Sequence, residues 1–286
     1  MLNIEDIKLF NQKYLEPKEI TECRQRIIAH ANELTFNEAE HKYFLPNGNE
    51  LPSVSSMIDT FIPEVDWDKK AENSAKKKGL SKEEVRRQWS ENALRSTNNG
   101  TSTHLFGEAY MHFLQGDVEW IKANPIISAQ YEKGYLIPYS PKQEAVELFY
   151  NAVYTNAMKS NVVMYPIIAE AKLHTDKYAG TADALFGYFD NEGLALMIYD
   201  WKTNASLVNN YNRQRGVYMK YPFNEYPYVD ENLTHYTIQQ SMYQVALENL
   251  SYRVASRSLI WLKDDSTFAR VDVENVTEKI RGYFGV

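Results

Sequence analysis

The chain has 286 residues, 44% of them hydrophobic and 24% charged, a balance that excludes wholesale disorder and suits one large domain or two small ones. Lys and Arg total 31 against 38 Asp and Glu, and the net charge of −7 argues against a broad phosphate-neutralising surface while leaving room for a local basic groove or a metal site. The single cysteine, Cys23, excludes an internal disulfide and a cysteine-built zinc or iron–sulfur centre. The longest apolar run, 162–169, falls far short of the roughly 18 residues of a membrane span, and MLNIEDIKLF has no basic stretch leading into an apolar one. The sequence therefore reads as a soluble, cytoplasmic protein with no membrane partner.

In chain order, residues 1–34 read as a charged helical start, with Ile7, Phe10 and Tyr14 at helical spacing and Ile27 and Ile28 further on. Thr35 to Val54 alternates short β-type runs around Pro46-Asn47-Gly48, the signature of a hairpin. Residues 69–95 are polar and helix-prone, with nine basic side chains against four acidic ones; they suit either a solvated face or a phosphate-contacting one. Asn98-Asn99-Gly100 predicts a break, followed by helices over 103–114 and 142–158. Three strand-like segments follow at 163–173, 180–189 and 194–201, the last two joined by Asp190-Asn191-Glu192-Gly193, a turn that favours an antiparallel hairpin. After a loop from Thr203 to Asn232 come a helix over 236–250 and a strand over 258–263. This order predicts an α/β core preceded by a mostly helical N-terminal region.

The chemistry-bearing residues concentrate between 165 and 205. Glu170 lies in the first strand, Asp183 follows Gly180-Thr181-Ala182, and Asp200 ends the third strand with Lys202 two positions on. Residues two apart in a strand share a side, so Asp200 and Lys202 face one site. Asp183 opens its strand and Asp200 closes the next, so an antiparallel hairpin brings the two carboxylates together. Two carboxylates forced close repel unless a cation lies between them, and hard oxygen ligands suit Mg²⁺ or Mn²⁺. An adjacent lysine can then orient water or offset charge growing on a phosphate.

With Gly180-Thr-Ala-Asp183 followed by Ile198-Tyr-Asp200-Trp-Lys202-Thr203, the chain resembles the PD-(D/E)XK nuclease superfamily, in its RecB-like exonuclease branch. The wording is similar to that of mitochondrial genome maintenance exonucleases and related phage nucleases. Two further elements stand in the right order: Gly100-Thr-Ser-Thr-His104 and Gln239-Gln-Ser-Met-Tyr243. The resemblance covers roughly 100–262, with a looser phage-nuclease likeness over His41 to Met57.

What the resemblance implies is specific. The fold would be a restriction-endonuclease-like core, a mixed central sheet flanked by helices, over 100–286, with 1–99 as a helical and hairpin region that arches over a threaded strand. His104, Asp183, Asp200 and the Trp201 carbonyl would hold one or two Mg²⁺ or Mn²⁺ ions. Lys202, Asp200, Asp183 and Glu170 would be catalytic, with Glu170 holding a metal-bound water or orienting Lys202. Gln239 and Tyr243, four apart on one helix face, would border the cleft and contact DNA. Lys172, His174 and Arg215 are further phosphate-contact candidates. Of the 21 tyrosines, those at 211, 218, 221, 226, 228 and 236 cluster beside the expected cleft, where two or three would stack on unpaired bases while the others serve packing. The insert Arg213 to Asn232 is either a substrate-facing flap or a surface loop. The implied activity is a metal-dependent DNA exonuclease acting from a free end, preferring single strands, in recombination, repair or phage DNA metabolism. No phosphate-binding P-loop occurs, so helicase action would come from a partner, as would strand annealing or single-strand binding. A structure-specific endonuclease on the same core, or a non-catalytic DNA-binding or assembly protein, remain alternatives.

Overall fold

A computed structural model describes residues 2–37, 42–160 and 162–286. Helix starts follow the capping chemistry of the sequence. Asn3 opens α1 (Ile4–Lys13) by accepting the amides of Glu5 and Asp6 while Asp6 reaches back to the Asn3 amide, a capping box. After Pro17, α2 (Lys18–Ala31) buries Ile20, Cys23 and Ile27 along one stripe, whereas Ile28 faces outward. Strands β1 (Thr35–Asn37), β2 (Lys42–Phe44) and β3 (Glu50–Leu51) form a small antiparallel sheet. Its β2–β3 turn is the expected Pro46-Asn47-Gly48 hairpin, with Gly48 at φ +82° where a side chain would be strained. His41, the first residue of the His41 to Met57 motif, lies outside the described residues. Ser53 then caps α3 (Val54–Phe61) by accepting the Ser56 amide at 3.0 Å.

The sequence predicts a break at Asn98-Asn99-Gly100; instead, one helix runs through it. α4 (Trp67–Lys78) ends on Gly79 in the left-handed conformation at φ +66°, Ser81 caps a new start, and α5 (Lys82–Gln115) then continues for 34 residues. Glycine inside a helix costs about 1 kcal/mol relative to alanine and asparagine less. That cost is offset because α5 is anchored at both ends, through Val85 against α4 and through Phe106, Ala109, Tyr110 and Phe113 in the core. Between the anchors, residues 90–99 are exposed on every side of the helix. Four of the nine basic residues at 69–95 are taken up in ion pairs: Lys76 with Glu72, Lys82 and Arg86 with Asp68, and Arg87 with Glu84 and Glu91.

The chain continues through α6 (Val118–Ala123), the short pair β4 (Tyr131–Glu132) and β5 (Tyr135–Leu136), and α7 (Pro141–Ser160). On α7, Ala145, Val146, Phe149 and Tyr150 are buried, while Leu148 faces solvent. The principal strands are β6 (Tyr165–His174), β7 (Ala179–Asp190) and β8 (Gly193–Lys202). α8 (Asn210–Arg215) and α9 (Asn232–Asn249) lead to β9 (Arg253–Leu262), and β10 (Phe268–Asp272) and α10 (Thr277–Phe284), which the sequence patterns do not announce, complete the described chain.

These strands form a five-stranded mixed sheet in the order β10-β9-β8-β7-β6, with β8 and β9 parallel and all other neighbours antiparallel. The β7–β8 hairpin turns at Asp190 to Gly193 as expected, and the protein is mixed α/β. One face of the sheet packs on α2, α3, α9 and α10, the other on α1, α5, α6 and α7. Strand alternation assigns the faces in β8: Leu196 and Ile198 join the first core, while Met197, Tyr199 and Trp201 join the second. The insert at 213–232 is folded down onto α3 and α10. Arg213 grips Glu231 through two nitrogens, the Lys220 amide donates to the Phe61 carbonyl at 2.6 Å, and Lys279 pairs with Glu225 at 3.0 Å. Among the described residues, no helix is long and apolar enough to cross a membrane.

Candidate metal and nucleic-acid site

The sheet geometry brings the predicted residues together. Ala184 pairs with Tyr199 across the β7–β8 hairpin, so the next rung sets Asp183 beside Asp200. Asp200 and Lys202 point to the α9 side, their atoms 2.8 Å apart (Oδ1 to Nζ), while Trp201 between them points the other way. The Trp201 indole packs beneath Gly107 of α5, where a Cβ would approach its Nε1 to 2.6 Å, and the Trp201 amide donates to Asp183 Oδ2 at 2.7 Å. His104, on the packed part of α5, places Nδ1 3.4 Å from the same Asp183 oxygen. From α9, Gln239 accepts a hydrogen bond from Lys202 at 3.2 Å and donates to the Tyr243 hydroxyl at 3.1 Å. Glu170 stands opposite Asp183 on β6 with φ +48°, a left-handed backbone that costs a non-glycine residue of order 1–3 kcal/mol and is kept where surrounding structure imposes it.

Donor atoms of His104, Glu170 and Asp183 lie within 4.8 Å of one another, so these three form a candidate metal-binding group. Glu170 thus stands within the candidate metal-binding group itself, where the resemblance implies a role beside it. Asp200 stands beside this group, its two oxygens engaged by Lys202 and by the Gln240 amide at 2.8 Å.

The titration of the cluster reflects a shortage of positive charge. Burial, then the charge of Asp183, raises Glu170 to about 8, and the same two causes raise Asp200 to about 7. Burial opposes charging His104, but the Asp183 carboxylate outweighs it and lifts the imidazole to about 9. Burial also opposes ionising Asp183, yet His104, a hydrogen bond from Asp200 and the Lys202 charge hold its carboxyl well below the ordinary range. Lys202 is raised, because Asp200 and Asp183 overcome its burial. A divalent cation fits this set: carboxylate oxygens and one imidazole suit Mg²⁺ or Mn²⁺, and its charge would release the protons that Glu170 and Asp200 hold.

No known protein-family model matches the chain, and no curated protein matches it. The site's own geometry therefore carries the functional argument.

Two cavities flank the cluster. One, of about 440 Å³, lies between the bare stretch of α5 and the end of β8, with Asn99, His104, Lys142, Lys202, Asn204 and Tyr236 on its walls. The other, of about 420 Å³, lies on the Glu170 side against Phe36, Tyr43, Ser55, Lys172 and Thr181. Two participants, Gln240 and Glu108, escape the sequence patterns, and one tyrosine of the expected cluster, Tyr236, reaches the site. Gln240 holds Asp200; its signal was present in the doubled Gln239-Gln240. Glu108, one helical turn beyond His104, is raised by burial and pushes Glu170 further up, and the i, i+4 spacing could have revealed it. Tyr236 places its ring 4.0 Å from Lys202 Nζ. It is the tyrosine of the expected cluster that reaches the site: Tyr228 is buried against Phe223, Tyr221 leans on Tyr283, and Tyr211 lies under Arg215.

A second group with ligand-type side chains joins α2 to the end of β6. The His30 and His174 rings stack at 3.8 Å and 8°, and His174 Nε2 lies 3.4 Å from a Glu33 oxygen. The His174 amide donates to His30 Nε2 at 3.2 Å. His174 is therefore stacked on His30 of α2, away from the Asp183 cluster, and is not placed to contact phosphate beside it.

Proposed function

We propose that the chain is a metal-dependent deoxyribonuclease of the PD-(D/E)XK type, an exonuclease that hydrolyses phosphodiester bonds from a free DNA end. The observation that carries this reading is the convergence of His104, Glu170, Asp183, Asp200 and Lys202 at one end of the β6–β7–β8 sheet, flanked by cavities on both sides. A site freed from such chemistry has no physical reason to keep mutually repelling carboxylates buried together.

Mg²⁺ or Mn²⁺ held by His104, Glu170 and Asp183, with Asp200 and the Trp201 carbonyl as further donors, would supply Lewis acidity at the scissile phosphate and its attacking water. Lys202 orients that water and offsets the charge growing on the phosphate. Its ammonium is fixed for this role by Asp200, Gln239 and the Tyr236 ring. Gln240 holds Asp200 so that the carboxylate faces both Asp183 and Lys202. Water adds to phosphorus as the P–O3′ bond breaks, leaving a 3′-hydroxyl on one product and a 5′-phosphate on the other. Polar residues on the exposed stretch of α5 (Ser96, Thr97 and Asn99) line the cavity on the Lys202 side, between that helix and the end of β8, where the strand would approach. Unwinding or annealing activity would come from a partner protein.

The test uses end-labelled linear single-stranded DNA beside covalently closed circular single-stranded DNA, in Mg²⁺, Mn²⁺ or EDTA. Metal-dependent loss of the linear strand with the circle spared is expected, and the label gives the polarity. Nicking of the circle would move the assignment to an endonuclease. Cleavage of neither would overturn the reading.

A further inference from the structure

The Ser53-Val54-Ser55-Ser56 segment has no part in the mechanism above, yet the fold fixes it beside the catalytic cluster. The Ala179 amide donates to the Pro52 carbonyl at 3.0 Å and Ser53 pairs with Ala179, which ties this segment to the start of β7. Gly180 permits the closeness: a Cβ there would come to 2.9 Å from both Val54 Cγ2 and Tyr243 Cε1. The cavity so enclosed opens onto Glu170. Lys172, the single cation on its wall among the described residues, stands directly opposite Thr181 in the β6–β7 register. In a chain of net −7, Lys172 has no carboxylate partner among the described residues; its ammonium lies 5.9 Å from the centre of the Phe36 ring. Hydroxyls of Ser55 and Thr181 share the wall with it, and Phe36 provides an apolar side. An ammonium with no carboxylate partner among the described residues, sharing a wall with the Ser55 and Thr181 hydroxyls and the Phe36 ring, suits a nucleotide: the phosphate on Lys172 and the hydroxyls, the sugar or base on Phe36.

We infer that this cavity is a phosphate-binding subsite for the nucleotide adjoining the scissile bond on the Glu170 side, with Lys172 as its cation. The inference rests on the nuclease reading and adds to it the direction in which the strand leaves the cluster. The two cavities then hold consecutive parts of one strand, with the scissile phosphate between them.

The test measures cleavage of a 5′-fluorescein-labelled dT20 in Mg²⁺ over a series of salt concentrations, for the full chain and for Lys172→Gln, Lys172→Arg and Ser55→Ala. Lys172→Gln is expected to raise KM about tenfold with kcat within about twofold, the effect of losing one charged hydrogen bond. It should also flatten the plot of log kcat/KM against log salt by about 0.7, the share of one phosphate contact on a single strand. Lys172→Arg should restore most of the loss. Ser55 is exposed and its hydroxyl bonds only Ser53 among the described residues, at 3.1 Å, so Ser55→Ala should leave the fold in place; it should raise KM by about threefold, and it carries the test if Lys172→Gln melts early. Wild-type KM and salt slope in Lys172→Gln, or a loss confined to kcat, would overturn the subsite while leaving the nuclease reading intact. If the unaltered chain cleaves no DNA at all, both fall together.

Discussion

Two clusters in this protein bring histidine and carboxylate together, and proximity alone would rank them as equals. Around Asp183, donor atoms of His104 and Glu170 converge from different elements; the carboxyls hold extra protons and the cavities leave room for a ligand. Around His174 the same residue types close on one another. His30 Nε2 accepts the His174 amide, which leaves the proton of a neutral His30 on Nδ1, and the two rings lie parallel. Parallel imidazoles aim their lone pairs along parallel lines, so one ion cannot lie in the plane of both. At Asp183 the donor atoms face a common point, whereas the stacked rings hold theirs in separate parallel planes, with His174 Nε2 buried and without a hydrogen-bond partner among the described residues.

That distinction is open to attack at several levels. The largest effect belongs to Lys202→Ala, expected to lower kcat by about 10³-fold with folding retained, because the lost ammonium faces the transition state. His30→Ala should leave kcat within about twofold, and a comparable loss in both would erase the difference between the clusters. Next is metal affinity by calorimetry. Outer partners of ligands are worth about 10–100-fold, so Asp183→Asn should weaken Mn²⁺ binding by at least about 100-fold, whereas His174→Ala should not change it.

A smaller effect lies in the pH dependence of the metal-free protein. Asp200, Glu170 and His104 all bind protons more tightly folded than unfolded, with values raised to about 7, 8 and 9. Stability from such groups is full below their unfolded values and is lost as pH rises through the folded ones. The Tm in EDTA should therefore fall between pH 6 and 9, less steeply in Glu170→Gln; a rising Tm would contradict the charge shortage assigned to the cluster. The smallest is His30→Ala itself, which removes one hydrogen bond and a ring contact. It should cost about 1 kcal/mol, seen as a loss of about 2–4 °C in Tm with Mn²⁺ binding unchanged.

Much of this was legible in the residues. Alternation and the Asp190 to Gly193 turn placed β7 against β8 in the observed antiparallel sense, and that pairing alone brings Asp183 to Asp200. The period of two put Asp200 and Lys202 on one side with Trp201 opposed, and the period of 3.6 put Gln239 and Tyr243 on one face of α9. What stayed hidden depends on distant partners. Asn98-Asn99-Gly100 is a break by local preference, and only the anchors at the two ends of α5 override it. Gln240 is fully buried on Asp200, a placement that periodicity would assign to an apolar side chain. The aromatic insert at 213–232 carries no period that says whether it covers the site or, as it does, packs on α3 and α10.

The unbroken course of α5 gives the protein a torsional property. At about 1.5 Å per residue its 34 residues form a rod of roughly 50 Å. Ala71, Ala75 and Val85 are buried in the α4–α5 pair and belong to none of the cores around the sheet. One residue added within the bare span 90–99 would swing that pair by about 100° around the rod and leave His104 where it is. Seven added residues would return it to within about 20° of its bearing, roughly 10 Å further out. The bearing of the helical pair relative to the cluster is thus a phase angle, set by the number of residues between two anchors.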